Sequence, residues 1–194
     1  MRKSKCVGCG CQVPSFEIVE YGSMEAGFKR LCRRCFNRKA ATAAGLDNFE
    51  HVEFDQIRLK DADGKIHEFH FTTFLFGTGV ALDAFELRNG NPGGYRFQVI
   101  AEPNEDPLAM LGRLIAKIRR TLAVKHLEDG EYGLQIGQAG VVRGLIDWDA
   151  AQDGHVPLLI IDGREISWDD FGRCLMTFEG AQFKLEISDM SEEL

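Results

Sequence analysis

Two Cys-x-x-Cys pairs constrain this chain more than any other feature. Cys6-Val7-Gly8-Cys9-Gly10 is answered some twenty residues later by Cys32-Arg33-Arg34-Cys35. Each pair places two thiolates on one tight turn, and two such pairs close a tetrahedral sulfur cage suited to a structural zinc ion. Gly8 and Gly10 allow the first turn to curl until its amides point at sulfur. The expected ligands are therefore Cys6, Cys9, Cys32 and Cys35. Cys11 could replace Cys9, although Cys9 has the better spacing from Cys6. The sixth cysteine, Cys174, falls in an apolar helical pattern and reads as a buried thiol.

Beyond the cysteines, 194 residues with 44% hydrophobic and 27% charged side chains suit an ordinary globular domain with a small module attached. No apolar run approaches the ~20 residues of a membrane span. Met1-Arg2-Lys3-Ser4-Lys5 leads straight into the first knuckle without the apolar stretch of a secretory leader. Thiolates committed to metal belong in a reducing compartment, so a cytoplasmic protein is expected. Charge is unevenly divided: residues 1–45 hold nine basic and three acidic side chains, the remainder 14 basic and 27 acidic. Only the N-terminal module offers a standing attraction to phosphate or to an acidic partner.

Between the knuckles, Phe16 to Tyr21 alternates as a strand, and Gly22-Ser23 marks a turn. Cys32 to Ala44 reads as a helix stopped by Gly45. A looped knuckle, a hairpin and a helix-borne knuckle resemble the treble-clef zinc fingers. Arg33, Arg34, Arg38 and Lys39 line the helix, either as a phosphate-binding face or as a solvated one that offsets the charge of the thiolates.

The fold expected is α+β: a four-cysteine, treble-clef-like finger over residues 1–45, then a mostly antiparallel sheet domain with two packed helices over 46–194. Val52–Lys60 and Ile66–Thr73 flank a turn-rich loop, Asp61-Ala62-Asp63-Gly64-Lys65. Pairing Ile57 with Phe69 and Leu59 with His67 gathers Ile57, Leu59, Phe69 and Phe71 on one apolar face. Leu75–Gly79 reads as a turn, Val80–Arg88 as a strand, Asn89–Gly94 as a loop and Tyr95–Ile100 as a strand. Asp106-Pro107 caps a helix with an apolar stripe of Leu108, Leu111, Ile115, Ile118 and Leu122, suited to a sheet or to a subunit seam. Short strands follow over Tyr132–Ile136 and Val141–Trp148. Asp162-Gly163 then turns a hairpin between Pro157–Ile161 and Arg164–Ile166. Ser167 caps a last helix ending near Gly180, Ala181–Ile187 reads as a strand, and Ser188–Leu194 as a frayed acidic tail.

Phosphate-binding loops, nucleophile elbows, zinc-protease helices and dinucleotide fingerprints are all absent from the sequence. The remaining candidate chemistry is His70, Glu68 and Arg58 on one sheet face, with His67 and Lys60 in reserve. A base, an acid and a cation in that arrangement suit metal-independent RNA cleavage. Parity on the strand turns His67 inward and His70 outward. His126, after the basic helix, stands as a possible second acid–base group.

The Cys-x-x-Cys-Gly knuckle, the Leu-Cys-x-x-Cys helix and the closing Ile-Ser-Trp-Asp-Asp-Phe-Gly-Arg resemble a family of small bacterial zinc-finger proteins, largely uncharacterised. In size and layout the chain is also similar to the ring-activated zinc-finger RNase of anti-phage defence. That resemblance implies a cytoplasmic effector that cleaves RNA and is active as a homo-oligomer, triggered by an oligomeric phage protein. The alternative is a non-enzymatic adaptor whose finger binds proteins or nucleic acid.

Overall fold

The computed structural model describes residues 2–77, 79–131, 133–149 and 152–192. Its architecture is α+β, and every strand pairing among the described residues is antiparallel. The N-terminal segment holds two hairpins and a helix: β1 (Lys3–Lys5) with β2 (Gln12–Pro14), then β3 (Ile18–Ser23) with β4 (Gly27–Cys32), then α1 (Arg33–Ala44). Ser15–Glu17 forms a short 3-10 turn where the alternation predicts strand. Gly45 closes α1 in the left-handed conformation, φ 68°, and its N–H satisfies carbonyls of the last turn.

The centre of the molecule is a four-stranded meander of β5 (Ile57–Lys60), β6 (Ile66–Phe76), β7 (Gly79–Arg88) and β8 (Asn91–Ala101). Ile57 pairs with Phe69, Arg58 with Glu68 and Leu59 with His67, the register expected from the apolar face. Two expected breaks are strand instead. Leu75 continues β6 and is fully buried, while Asn91–Gly94 begin β8. Only Asn89-Gly90 remains as the turn, both with positive φ, and a register shift between Phe85 and Leu87 absorbs the irregularity. Thr78 lies outside the described residues. Pro92 is tolerated because β8 lies at the sheet edge, where a missing N–H is harmless.

One face of this sheet carries the main core. Phe69, Phe71, Leu75, Leu82, Phe97 and Val99 pack beneath α2 (Pro107–Leu122). Asp106 caps α2, its carboxylate accepting the Leu108 N–H at 3.0 Å. The buried stripe runs Met110, Leu114, Ile118 and Leu122, flanked by Leu111 and Ile115. Leu108, expected in the stripe, is exposed in the first turn. Each fully buried aliphatic here contributes about 1.5–3 kcal/mol.

A third unit follows, with its own small core of Leu127, Ile161 and Ile166. It comprises the hairpin β9 (Leu127–Gly130) and β10 (Gly133–Ile136), a sheet of β11 (Gly144–Trp148), β12 (Pro157–Ile161) and β13 (Arg164–Ser167), and α3 (Trp168–Met176). Tyr132, expected to begin a strand, lies outside the described residues. Asp162 and Gly163 take φ 50° and 68°, the turn a two-residue hairpin requires. Ser167 accepts the Asp170 N–H at 3.1 Å and caps α3. The expected final strand does not form: residues 181–189 take no regular secondary structure and pair with no strand among the described residues. Of the expected tail, Glu193 and Leu194 lie outside the described residues.

Candidate metal centre

Both hairpins and the first turn of α1 converge on the cysteines. Cys6 ends β1's approach to the knuckle, where its N–H donates to Cys11 O at 2.9 Å and its carbonyl accepts the Gly10 N–H at 2.9 Å. Cys32 ends β4, and Cys35 sits in the first turn of α1. The sulfurs of Cys6, Cys9, Cys11 and Cys32 lie within 4.8 Å of one another, and all six cysteines are free thiols. That group includes Cys11, which spacing had ranked behind Cys9. Buried Cys35 stands just outside it, against Gly8: a Cβ on that glycine would sit 3.1 Å from the Cys35 sulfur. Gly8 is thus the residue that lets the two knuckles close.

Distances sort these thiols. Two sulfurs on one tetrahedral zinc, each at about 2.3 Å, are separated by about 3.8 Å. Cys9 and Cys32 meet that spacing at 3.8 Å. Cys9 and Cys11 are 3.0 Å apart, too close to share an ion as two ligands at that separation, and in hydrogen-bond contact. Backbone N–H groups of Gly8 and Cys32 reach the Cys6 sulfur at 3.3 and 3.2 Å, the support a metal-bound thiolate requires.

The same geometry governs charge. Burial pushes the Cys6 thiol up, but the N–H groups of Cys32, Cys9 and Gly8 outweigh it and bring the pKa down to about 6. The hydrogen bond from Cys11 lowers Cys9 and in return raises Cys11 to about 12. Desolvation, then the neighbouring thiols, push Cys35 up to about 12, and desolvation raises Cys32. Burial and crowding hold Cys11, Cys32 and Cys35 towards the thiol form, and a cation among the sulfurs would favour the thiolates.

The basic residues of α1 separate into two groups. Arg34, Arg38 and Lys39 are exposed. Arg33 turns towards the central sheet, its guanidinium 5.1 Å from the Phe74 ring centroid and its Nε buried. Arg38 approaches the Cys35 sulfur at 4.0 Å.

Of the candidate catalytic set, Arg58 and Glu68 form an exposed 3.1 Å ion pair across β5 and β6. Lys60 is exposed at the end of β5. His70 shares the face of Glu68, but the N-terminal segment covers it: Glu17 bonds its Nε2, and Phe16 packs edge-on at 5.3 Å. Gln56 occupies Nδ1 at 3.3 Å, so both ring nitrogens are engaged. His67 points to the opposite face, buried between Glu86 at 2.9 Å and Asp61 at 3.1 Å. His126 is buried, its Nδ1 on Val141 O at 2.9 Å, far from service as an exposed acid. Cys174 is a buried thiol donating to Leu134 O at 3.1 Å.

Sequence reasoning missed Asn37. Fully buried, it donates to Thr73 O at 2.8 Å and accepts from Leu75 N at 3.0 Å, so its amide pairs with the edge of β6 where β5 has ended. Phe36 stacks on Phe74 with centroids 4.7 Å apart. A single Asn in a basic, alanine-rich helix carries no pattern that reveals such a contact.

Residues 5–47, 50–123 and 126–192 match family models described as domains of unknown function, DUF7685, DUF7686 and DUF7713 respectively. Each segment holds most of one of the three apolar clusters, although Ala40, Ala41 and Leu46 of the first pack into the central cluster. No curated protein and no solved structure matches the chain. Among the described residues, no helix is long and apolar enough to cross a membrane.

Proposed function

We propose that this protein is a zinc-dependent binding protein whose N-terminal segment is a treble-clef-like finger. Cys6, Cys9, Cys32 and Cys35 would hold one structural zinc ion, with Cys11 donating to the Cys9 thiolate. The carrying observation is the convergence of the free thiols of Cys6, Cys9, Cys11 and Cys32 within 4.8 Å, the only such gathering of metal-ligating side chains among the described residues, with Cys35 brought beside it by Gly8. Zinc there would supply folding energy and rigidity, leaving α1 to present Arg34, Arg38 and Lys39 to an anionic partner such as a nucleic-acid backbone. The concentration of positive charge in residues 1–45 supports that reading.

The test is RNA and DNA binding by the zinc-loaded chain across a salt series. Affinity should fall steeply with salt, and the combined Arg34→Glu, Arg38→Glu and Lys39→Glu variant should lose binding while retaining its metal. Salt-independent binding, or binding indifferent to that variant, would contradict the assignment.

Assembly-triggered RNA cleavage is a second reading, favoured by Arg58, Glu68 and His70 sharing one sheet face. It requires the Phe16–Glu17 cover to leave His70. Incubating total RNA with the chain, alone and with candidate oligomeric partners, distinguishes the two: turnover abolished by His70→Ala supports cleavage, and no turnover leaves binding alone.

A further inference from the structure

We propose that the chain forms a two-fold dimer by exchanging strands, the segment 183–187 of each copy adding to the free edge of β11 in the other. This stands apart from the metal centre and from the binding reading above. Among the described residues, both halves of the contact are present and uncovered on one chain.

The first half is the segment after α3, which takes no regular secondary structure and pairs with no strand among the described residues. Phe183, Leu185 and Ile187 are 90%, 73% and 70% exposed, and on pairing as a strand these alternate residues would come to one side. The segment is anchored beyond both ends. Ala181 N–H donates to Phe178 O at 2.9 Å, and Lys117 Nζ binds the carbonyls of Met190 and Glu192, each at 2.6 Å. Between those anchors lies a strand-length stretch with apolar alternation and no ladder of its own.

The second half is β11, the outer strand in the order β11-β12-β13. Its Ile146 and Trp148 are 56% and 66% exposed. Ile146 lies across from Leu159, which pairs with buried Ile166, so it extends the core face of the sheet into solvent. An unpaired edge with an uncovered apolar margin is a template for another strand.

An antiparallel register joins the halves. Leu185 opposite Ile146 places Phe183 opposite Trp148, and Lys184 opposite Asp147. The faces match in polarity, and Lys184, which pairs with Glu186 at 3.0 Å on its own chain, would join Arg96 as a second cation at Asp147. An aromatic side chain buries about 150–250 Å², so two reciprocal exchanges of Phe183 onto Trp148 remove about 600–1,000 Å² before the aliphatic residues are added. Stable interfaces bury about 1,200–2,000 Å² in total. Reciprocal exchange also closes the assembly, since each copy uses its arm and its edge once.

Sedimentation of the full zinc-loaded chain tests the state, with twice 21.7 kDa expected for the native protein. Phe183→Asp with Leu185→Asp should return it to 21.7 kDa without changing the metal content. Mixing a Leu185→Cys chain with an Ile146→Cys chain under mild oxidation tests the register: a linked dimer should form in the mixture and in neither chain alone. A native chain that stays monomeric at every concentration would overturn the proposal. So would a dimer indifferent to the arm variants, a linkage forming only within one chain when both cysteines are on it, or a dimer that gives no linkage in the mixture.

Discussion

The central sheet holds its two neighbours by different chemistry. On the N-terminal side, α1 attaches through the buried amide of Asn37 on the edge of β6 and the Phe36–Phe74 stack, with Phe16 packed against Phe85 at 5.3 Å. The Glu17–His70 pair is its ionisable rim. The segment behind those contacts has a core of little more than Cys6, Leu31, Cys32 and Cys35, too small to fold on apolar burial alone. On the C-terminal side the attachment is charged. Arg88 bonds both Glu86, at 2.9 Å, and Gly163 O, and Arg96 meets Asp147 at 2.8 Å. Glu86 also accepts His67, which reaches Asp61 on its other nitrogen. The first junction should therefore depend on metal, and the second on pH.

The largest expected effect is on the metal side. Structural zinc contributes about 10–16 kcal/mol in isolated finger peptides. Chelation, or Cys32→Ser, should unfold β1 to β4, seen as lost amide-exchange protection there, while β12 and β13 stay protected. Equal loss on both sides would break the distinction.

Next is Glu86. Burial raises its carboxyl, but bonds from Arg88, His67 and the Tyr95 N–H outweigh this and hold it below the usual range. Asp61 is likewise lowered, with burial opposed by bonds from His67 and the Lys65 N–H. A lowered acid stabilises the folded state at neutral pH, and that contribution disappears as pH falls through the folded values. The melting temperature should drop on acidification through the carboxylate range. Glu86→Gln should flatten that drop and cost about 3–5 kcal/mol near neutrality, the scale of a broken buried pair.

Asn37→Ala sharpens the comparison from the finger side. It strands Thr73 O and Leu75 N and should cost about 1–3 kcal/mol in denaturant unfolding, with faster exchange at the Leu75 amide. The smallest effect belongs to Arg58→Ala. Its pair with Glu68 is exposed, so stability should change by about 0–1 kcal/mol.

Much of the frame was legible because local chemistry and packing agree. The β5–β6 register follows from one apolar face, and Asp106, Ser167 and Gly45 bound their helices by caps written in single residues. Glycine and proline misled where an edge strand tolerates them, as at Pro92. The α2 stripe shifted because Leu108 lies in the first turn, beyond what the sheet covers. Alternation over 181–187 reads as a strand, yet none forms there, because alternation supplies a face and not a pairing partner. At the site, spacing found the knuckles, yet Cys11 joins the cluster through the backbone pairing of Cys6 with its own carbonyl. Arg33 left the basic face because docking turns it towards Phe74. His70 was placed outward correctly, but nothing local foretold Glu17, 53 residues earlier in the chain.

Metal content measured by elemental mass spectrometry on the native chain, purified with zinc present, tests the account most directly. One zinc per chain is predicted, retained by Cys174→Ser and lost in Cys6→Ser and Cys32→Ser. A native chain that folds fully with no bound metal would contradict it.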